Sequence, residues 1–301
     1  MWRQARPLTL ARHGMVFITL PMADPAPLSP IAALARRHDP DRFLCTLFAP
    51  PETRDTLGLL IAFNHELARA REVASNAMTT LIRLQWWREA VEEAQAGAPP
   101  RRHEVAAPLA EAIRAGTLAP EDLLGMVDAR EAEAEEEIPS RAALLALLRG
   151  SSGGLAVAMG RVLGAPAACL PGLQAVGAAY GLAGVLRNTP ALSMQGRCLL
   201  PADLLAEHGL TPADVARDPR QQGTDASARI LAGEGQALLR EGRMKLAALP
   251  RGAVAAALPG RLAARDLARV TAAGWSAAQP PPPRGLGDRL AVIWAGWRGR
   301  A

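Results

Sequence analysis

Cysteine is scarce in this chain of 301 residues: Cys45, Cys169 and Cys198 are the only three, and no two form a CxxC pair. An odd count at such spacing excludes a disulfide framework and a zinc site, and it implies a reducing, cytoplasmic setting. Lysine is scarcer still. Lys245 is the only one, so the net charge of +5 is an arginine excess. The arginines are scattered among acids and no nucleic-acid-binding motif accompanies them, which argues against a nucleic-acid partner. Aromatic residues make up 4% of the chain, with a single tyrosine. No apolar run approaches the roughly 20 residues that cross a bilayer. No segment alternates as a strand does, and there is no internal repeat.

Helical periodicity is present almost throughout, in a chain that is 50% hydrophobic, ample for one large core. Residues 1–28 stand apart: Arg3, Arg6 and Arg12 precede the apolar "MVFITLPMA", and no convincing cleavage site follows. They are expected to be a flexible extension or the result of a start placed too early, with Met15 or Met22 as the true start. Helices are expected over 52–73, 77–95, 105–115, 120–137, 140–163, 171–188, 226–248 and 253–274. Two shorter helices are expected in 199–215, the first starting at Pro201 and stopped by Gly209, the second starting at Thr211–Pro212. Gly153 and Gly154 imply close packing or a bend. The all-α domain, of roughly ten helices, is expected to span 29–278. A proline break, "QPPPPRG", and a terminal helix, "LGDRLAVIWAGWRGR", complete 279–301.

Two blocks carry a resemblance: "LLIAFNHELARAREV" (59–73) and "YGLAGVLRNTPALSMQGRCLLPADLL" (180–205). Together they resemble the squalene/phytoene synthase family. Its first block runs Ala-Phe-Cys-Arg into an Asp-Asp-x-x-Asp cluster. Its second runs from a tyrosine through Arg-Asp to Arg-Gly-Arg-x-Tyr-Leu-Pro. Ala62 and Phe63 match the first block. Tyr180, Leu182, Leu186, Arg187, Gly196, Arg197, Leu200 and Pro201 match the second. The resemblance implies an isoprenoid-synthase-like helical bundle with a central cavity. In the family, aspartates on facing helices hold Mg²⁺ ions that bind a prenyl diphosphate.

The decisive positions differ. The first cluster would fall on Ala68, Arg69 and Glu72, the second on Asn188, Ala191 and Leu192. Only Glu72 is acidic, so no metal site and no catalytic residue is expected. Arg69 and Arg71 add positive charge where cations should bind. One branch is closer: the phytoene synthase-like assembly factors of mitochondrial complex I. It shares Ala62-Phe63-Asn64-His65-Glu66-Leu67-Ala68, the run from Arg83 to Trp87, Leu186-Arg187-Asn188-Thr189-Pro190, and the closing "IWAGWR". This resemblance implies a non-catalytic role in assembling NADH dehydrogenase, with its subunits or assembly intermediates as partners, or in binding an isoprenoid, quinone or lipid. The alternative is an active head-to-head prenyl diphosphate transferase. It would need Mg²⁺ at a reduced site built from Glu72, Asp128 and Asn188.

Arg69, Arg71, Arg187 and Arg197, with Tyr180, are the candidate ligand-binding residues: without metal they would hold an anionic headgroup directly. The plainer reading pairs the arginines with Glu66, Glu72 and Asp203. His65 is expected to be a packed histidine, and one of Trp86 and Trp87 to be buried. Trp294 and Trp297 beside Arg298 and Arg300 suit contact with the cytoplasmic face of a membrane, or docking of the terminal helix.

Overall fold

The computed structural model describes residues 28–72 and 76–300, and among them every regular element is a helix. Local chemistry sets the starts. Ser29 caps α1 (Pro30–His38) by accepting from the Ala32 amide, and Asp39 caps α2 (Pro40–Thr46) by accepting from Arg42. Proline follows each cap, where a missing N–H costs nothing. α3 (Arg54–Glu72) and α4 (Ala77–Gln95) form the first long pair, and Asn76 caps the second. α5 (Ala106–Arg114) and α6 (Pro120–Glu131) pack on α4. α7 (Arg141–Gly150) and α8 (Ser152–Val162) lead into α9 (Leu170–Met194), which runs through the middle of the bundle. The short α10 (Ala202–Ala206) and α11 (Pro212–Arg217) precede α12 (Gln222–Lys245), α13 (Pro259–Val270) and α14 (Leu286–Arg298).

α9 is apolar on nearly all sides because it is enclosed by α7, α8, α12 and α13. Its contact with α8 depends on glycine. A Cβ at Gly177 would lie 2.5 Å from the Ser152 carbonyl, and one at Gly153 would lie 2.7 Å from the Gln174 carbonyl. The expected close packing at Gly153 is therefore present.

The structure corrects several expectations. Fourteen α-helices stand among the described residues where roughly ten were expected. The stretch 140–163 divides at Ser151, whose hydroxyl donates to the Leu147 carbonyl and closes α7. The stretch 120–137 ends as α-helix at Glu131 and continues as a 3-10 turn. α9 runs past 188 and through Pro190, with the Thr189 hydroxyl donating to the Val185 carbonyl in the weakened turn. Gly209 stops α10 as expected, with φ of 69°, a left-handed conformation that glycine adopts freely.

By its apolar runs alone the chain is expected to have no segment long enough to cross a bilayer. Two helical stretches, Arg141–Val162 and Ala167–Met194, do meet that measure of length and composition. More than half of each lies buried inside the bundle, 56% and 61%. The segment 1–28, expected to be a flexible extension or the result of a start placed too early, lies outside the described residues but for residue 28. α14 docks on α13 and α2 through Val292 and Ala295.

Candidate functional site

α3 has two working faces. Leu60, Phe63, Leu67 and Ala70 are buried in the first core with α4, α5, α6 and α8. Asn64, Ala68, Arg71 and Glu72 line a cavity of about 480 Å³. Across it stand Tyr180, Gly181, Gly184, Arg187, Asn188 and Leu192, a single face of α9. The two family blocks thus meet around one cavity.

Ala68, Glu72, Asn188 and Leu192, four of the positions where acids were expected, line this cavity together with Arg71, Arg187, Arg197 and Tyr180. Ala191 is exposed and does not. Arg69 is also a correction. It follows Ala68 by one residue, which turns it about 100° around the helix and away from the cavity. There it pairs with Glu66 at 3.1 Å and borders a separate groove with Ile82, Trp86 and Trp87. Asp128 lies outside too, bound to Arg88 at 2.6 Å.

The charges inside the cavity are mostly matched. Arg42, buried beneath the rim, pairs with Asp39 at 2.7 Å, and its guanidinium lies 4.5 Å from the centre of the Tyr180 ring. Arg130 donates to Glu133 at 2.8 Å and to the Asn64 amide oxygen at 3.3 Å. Arg284 bridges Asp41 at 2.7 Å and Asp266 at 2.8 Å. Asp266 also takes Arg187 at 3.1 Å and Arg269 at 2.8 Å. Arg269 continues to Asp288, which Arg265 also holds, each at 2.6 Å. Burial raises the Asp288 carboxyl, but hydrogen bonds from Arg265 and Arg269 outweigh it and hold the group at about 2. Burial, with Asp39 near, pushes the Tyr180 phenol well above its ordinary range.

Arg71 and Arg197 differ. Among the described residues neither has a carboxylate in ion-pair range. Asp203, the partner that the plainer reading allotted, instead accepts from the Arg141 and Leu204 amides. His65 stacks on His38 with ring centres 3.9 Å apart, and burial, then the His38 charge, lowers its pKa. Trp87 is buried and Trp86 half-buried beneath Arg101, as the helix geometry required. Asp41, Arg42, Asp266 and Arg284 carried no signal in the sequence that marked them as cavity residues. The i,i+3 pairs Asp39–Arg42 and Arg130–Glu133 were legible as local charge pairs. Nothing local marks Arg284 as a partner of Asp41.

A helical bundle with a polar cavity between two long facing helices is the terpenoid-synthase class of fold. A dehydrosqualene synthase crystal structure matches it with a TM-score of 0.73 at 13% identity, over 89% of this chain and 94% of that one. Squalene synthase HpnC from Alicyclobacillus acidocaldarius matches with a TM-score of 0.62 at 19% identity, over 89% and 92%. The squalene/phytoene synthase family profile matches residues 35–286, and the chain belongs to that family. Among curated relatives, NADH dehydrogenase (ubiquinone) complex I, assembly factor 6 of Mus musculus is 30% identical over 191 residues, 61% of this chain and 56% of that protein. The Homo sapiens protein of the same name is 29% identical over the same shares. The chain thus spans little more than half the length of these relatives.

The fold family implies Mg²⁺, and the donor set here does not fit it. Mg²⁺ demands near-octahedral oxygen coordination. Asp39, Asp41, Glu133 and Asp266 are each engaged by arginine. Glu72 is exposed and Asn188 is uncharged. Among the described residues no three of His, Cys, Asp and Glu converge as metal ligands do.

Proposed function

We propose that this chain is a non-catalytic member of the squalene/phytoene synthase family that acts in the assembly of NADH dehydrogenase. One observation carries the loss of catalysis. The facing helix positions that would hold metal in the family present Ala68, Glu72, Asn188 and Leu192 to the cavity, beside Arg71 and Arg197. Without a cation to draw off a diphosphate, ionisation of an allylic ester lacks its charge stabilisation. The assembly role is supported by the relatives whose names carry it. Subunits or assembly intermediates of NADH dehydrogenase are the partners in this reading.

The purified chain, incubated with farnesyl or geranylgeranyl diphosphate and Mg²⁺, is expected to release no diphosphate above the protein-free blank. Deleting its gene is expected to lower the amount of assembled NADH dehydrogenase while isoprenoid products stay at wild-type levels. Turnover in the first experiment, or intact NADH dehydrogenase in the second, overturns the reading.

This reading keeps the chain cytoplasmic and brings α14 to the cytoplasmic face of a membrane. Leu286, Leu290, Ile293, Trp294 and Trp297 are exposed along that helix, 79%, 61%, 43%, 58% and 74%. Arg289, Arg298 and Arg300 are exposed beside them. The one acid of α14, Asp288, is buried and paired. An apolar stripe flanked by cations alone suits an anionic bilayer surface. The chain should therefore sediment with vesicles containing phosphatidylglycerol and not with phosphatidylcholine vesicles. Trp294→Ser with Trp297→Ser should cut that binding at least about tenfold. Equal sedimentation of variant and wild type removes α14 from the contact.

A further inference from the structure

The misfit of the cavity to a metal has a positive counterpart in its arginines. Its acids, Glu72 apart, are already engaged by Arg42, Arg130, Arg187 or Arg284. Arg71 comes from α3, and Arg197 from the turn after α9, which Gly196 opens with φ of 69°. Both side chains are half-buried. Among the described residues Arg71 Nε is buried with no hydrogen-bond partner, and the same holds for Arg42 Nη2 and Arg130 Nε on the same cavity. Three guanidinium groups lining one cavity thus each keep a buried donor without a partner. Arg71 and Arg197 line the cavity half-buried and, among the described residues, with no carboxylate in ion-pair range; a partly desolvated cation without a counter-charge is costly, which makes an anion of matching shape the natural occupant.

Electrostatics point the same way. Burial lowers the Arg197 pKa first, and the Arg71 charge lowers it further, against weaker opposing effects of Glu133 and Glu72. Two like charges therefore sit close enough to repel, in a partly desolvated place. Guanidinium forks fit phosphate oxygens in pairs. Beside them Leu148, Val185, Leu192 and Leu199 add apolar lining.

We infer that this cavity is a metal-independent anion site in which Arg71 and Arg197 directly grip the phosphate or diphosphate group of an amphiphile. The inference rests on the reading that the cavity's metal-binding acids are lost. It inverts the expected role of divalent cations: Mg²⁺ competes for the ligand in solution instead of bridging it to the protein.

The test is calorimetric titration of the full chain with farnesyl diphosphate as probe, in EDTA and then in Mg²⁺. Inorganic pyrophosphate and farnesol form the other two arms. Farnesyl diphosphate should bind in EDTA, and Mg²⁺ should leave its affinity unchanged or weaken it. Pyrophosphate should bind more weakly and farnesol not at all, which marks an amphiphile held by its head. Pyrophosphate binding as tightly as farnesyl diphosphate would overturn the amphiphile and leave the free anion as ligand.

Arg71→Ala and Arg197→Ala should each weaken binding by about ten- to a hundredfold, the range for a lost charge-assisted hydrogen bond. Arg71→Lys should recover only part of that loss, because a lysine keeps the charge without the fork. Arg69→Ala removes the same charge from the opposite flank of α3 and should leave binding unchanged. Binding that needs Mg²⁺, or an equal loss in Arg69→Ala, overturns the site. Turnover in Mg²⁺ overturns the proposed function together with it. No turnover and no binding in EDTA overturns this inference alone.

Discussion

Asp266→Ala will lower the unfolding free energy by about 3 kcal/mol, the lower end of the range for breaking a buried ion pair. Asp266 is 3% exposed and accepts from Arg187, Arg269 and Arg284. The three arginines do not suffer equally when it is removed. Arg284 keeps Asp41 at 2.7 Å, and Arg269 keeps Asp288 at 2.6 Å. Among the described residues Arg187 keeps only the Pro282 carbonyl, at 3.3 Å. Each arginine is also partly open to water, which softens the cost and argues for the lower end. Urea unfolding of the variant against wild type measures the loss, and a cost under about 1 kcal/mol would show that solvent already screens the cluster. Asp266→Asn separates charge from shape. It should cost less than alanine and still free Arg187 from its carboxylate at the cavity wall, so pyrophosphate should bind it more tightly than wild type.

Phe63→Ala is expected to cost about 3–5 kcal/mol, the usual range for emptying a large aromatic site in a core. Phe63 is 0% exposed and meets the Trp87 ring edge-on, with centroids 5.4 Å apart. That geometry adds a specific attraction to the area buried. The residue lies on the core face of α3, whose other face lines the cavity. Its loss loosens the anchor that holds Ala68 and Arg71 in place. Phe63→Leu keeps most of the volume and should cost under about 2 kcal/mol. The same urea series checks both variants, and a loss in Phe63→Ala no larger than in Phe63→Leu would mean that the site collapses around the smaller side chain.

Much of the bundle was legible in local patterns. α4 was expected over 77–95 and occupies Ala77–Gln95, because Asn76 caps it and Gly97 ends its turn. The Gly209 stop and the Thr211–Pro212 start are equally local. The helix count fell short where a break has no local signal. Ser151 divides 140–163 because its backbone leaves the helical region, with φ of −82° and ψ of −84°, as α8 turns to meet α9 at Gly177. The two apolar stretches that could be taken for membrane spans are explained by enclosure, which hydropathy alone does not report.

The sequence by itself determined the helical class, the family, and the replacement of acids by Ala68, Asn188 and Leu192. These are properties of residue order, spacing and identity. Only the tertiary structure decided which arginines face the cavity and which of those are free. Arg69 and Arg71 look equivalent in the string, but they lie about 200° apart around α3. One meets Glu66 on the outer flank, and the other lines the cavity. Arg187 and Arg197 likewise share a block, but Arg187 is neutralised by Asp266 from α13 and Arg197 has no such partner among the described residues. An ion pair between elements far apart in the chain depends on how their helices pack. Helical periodicity carries information only over the few residues of a turn.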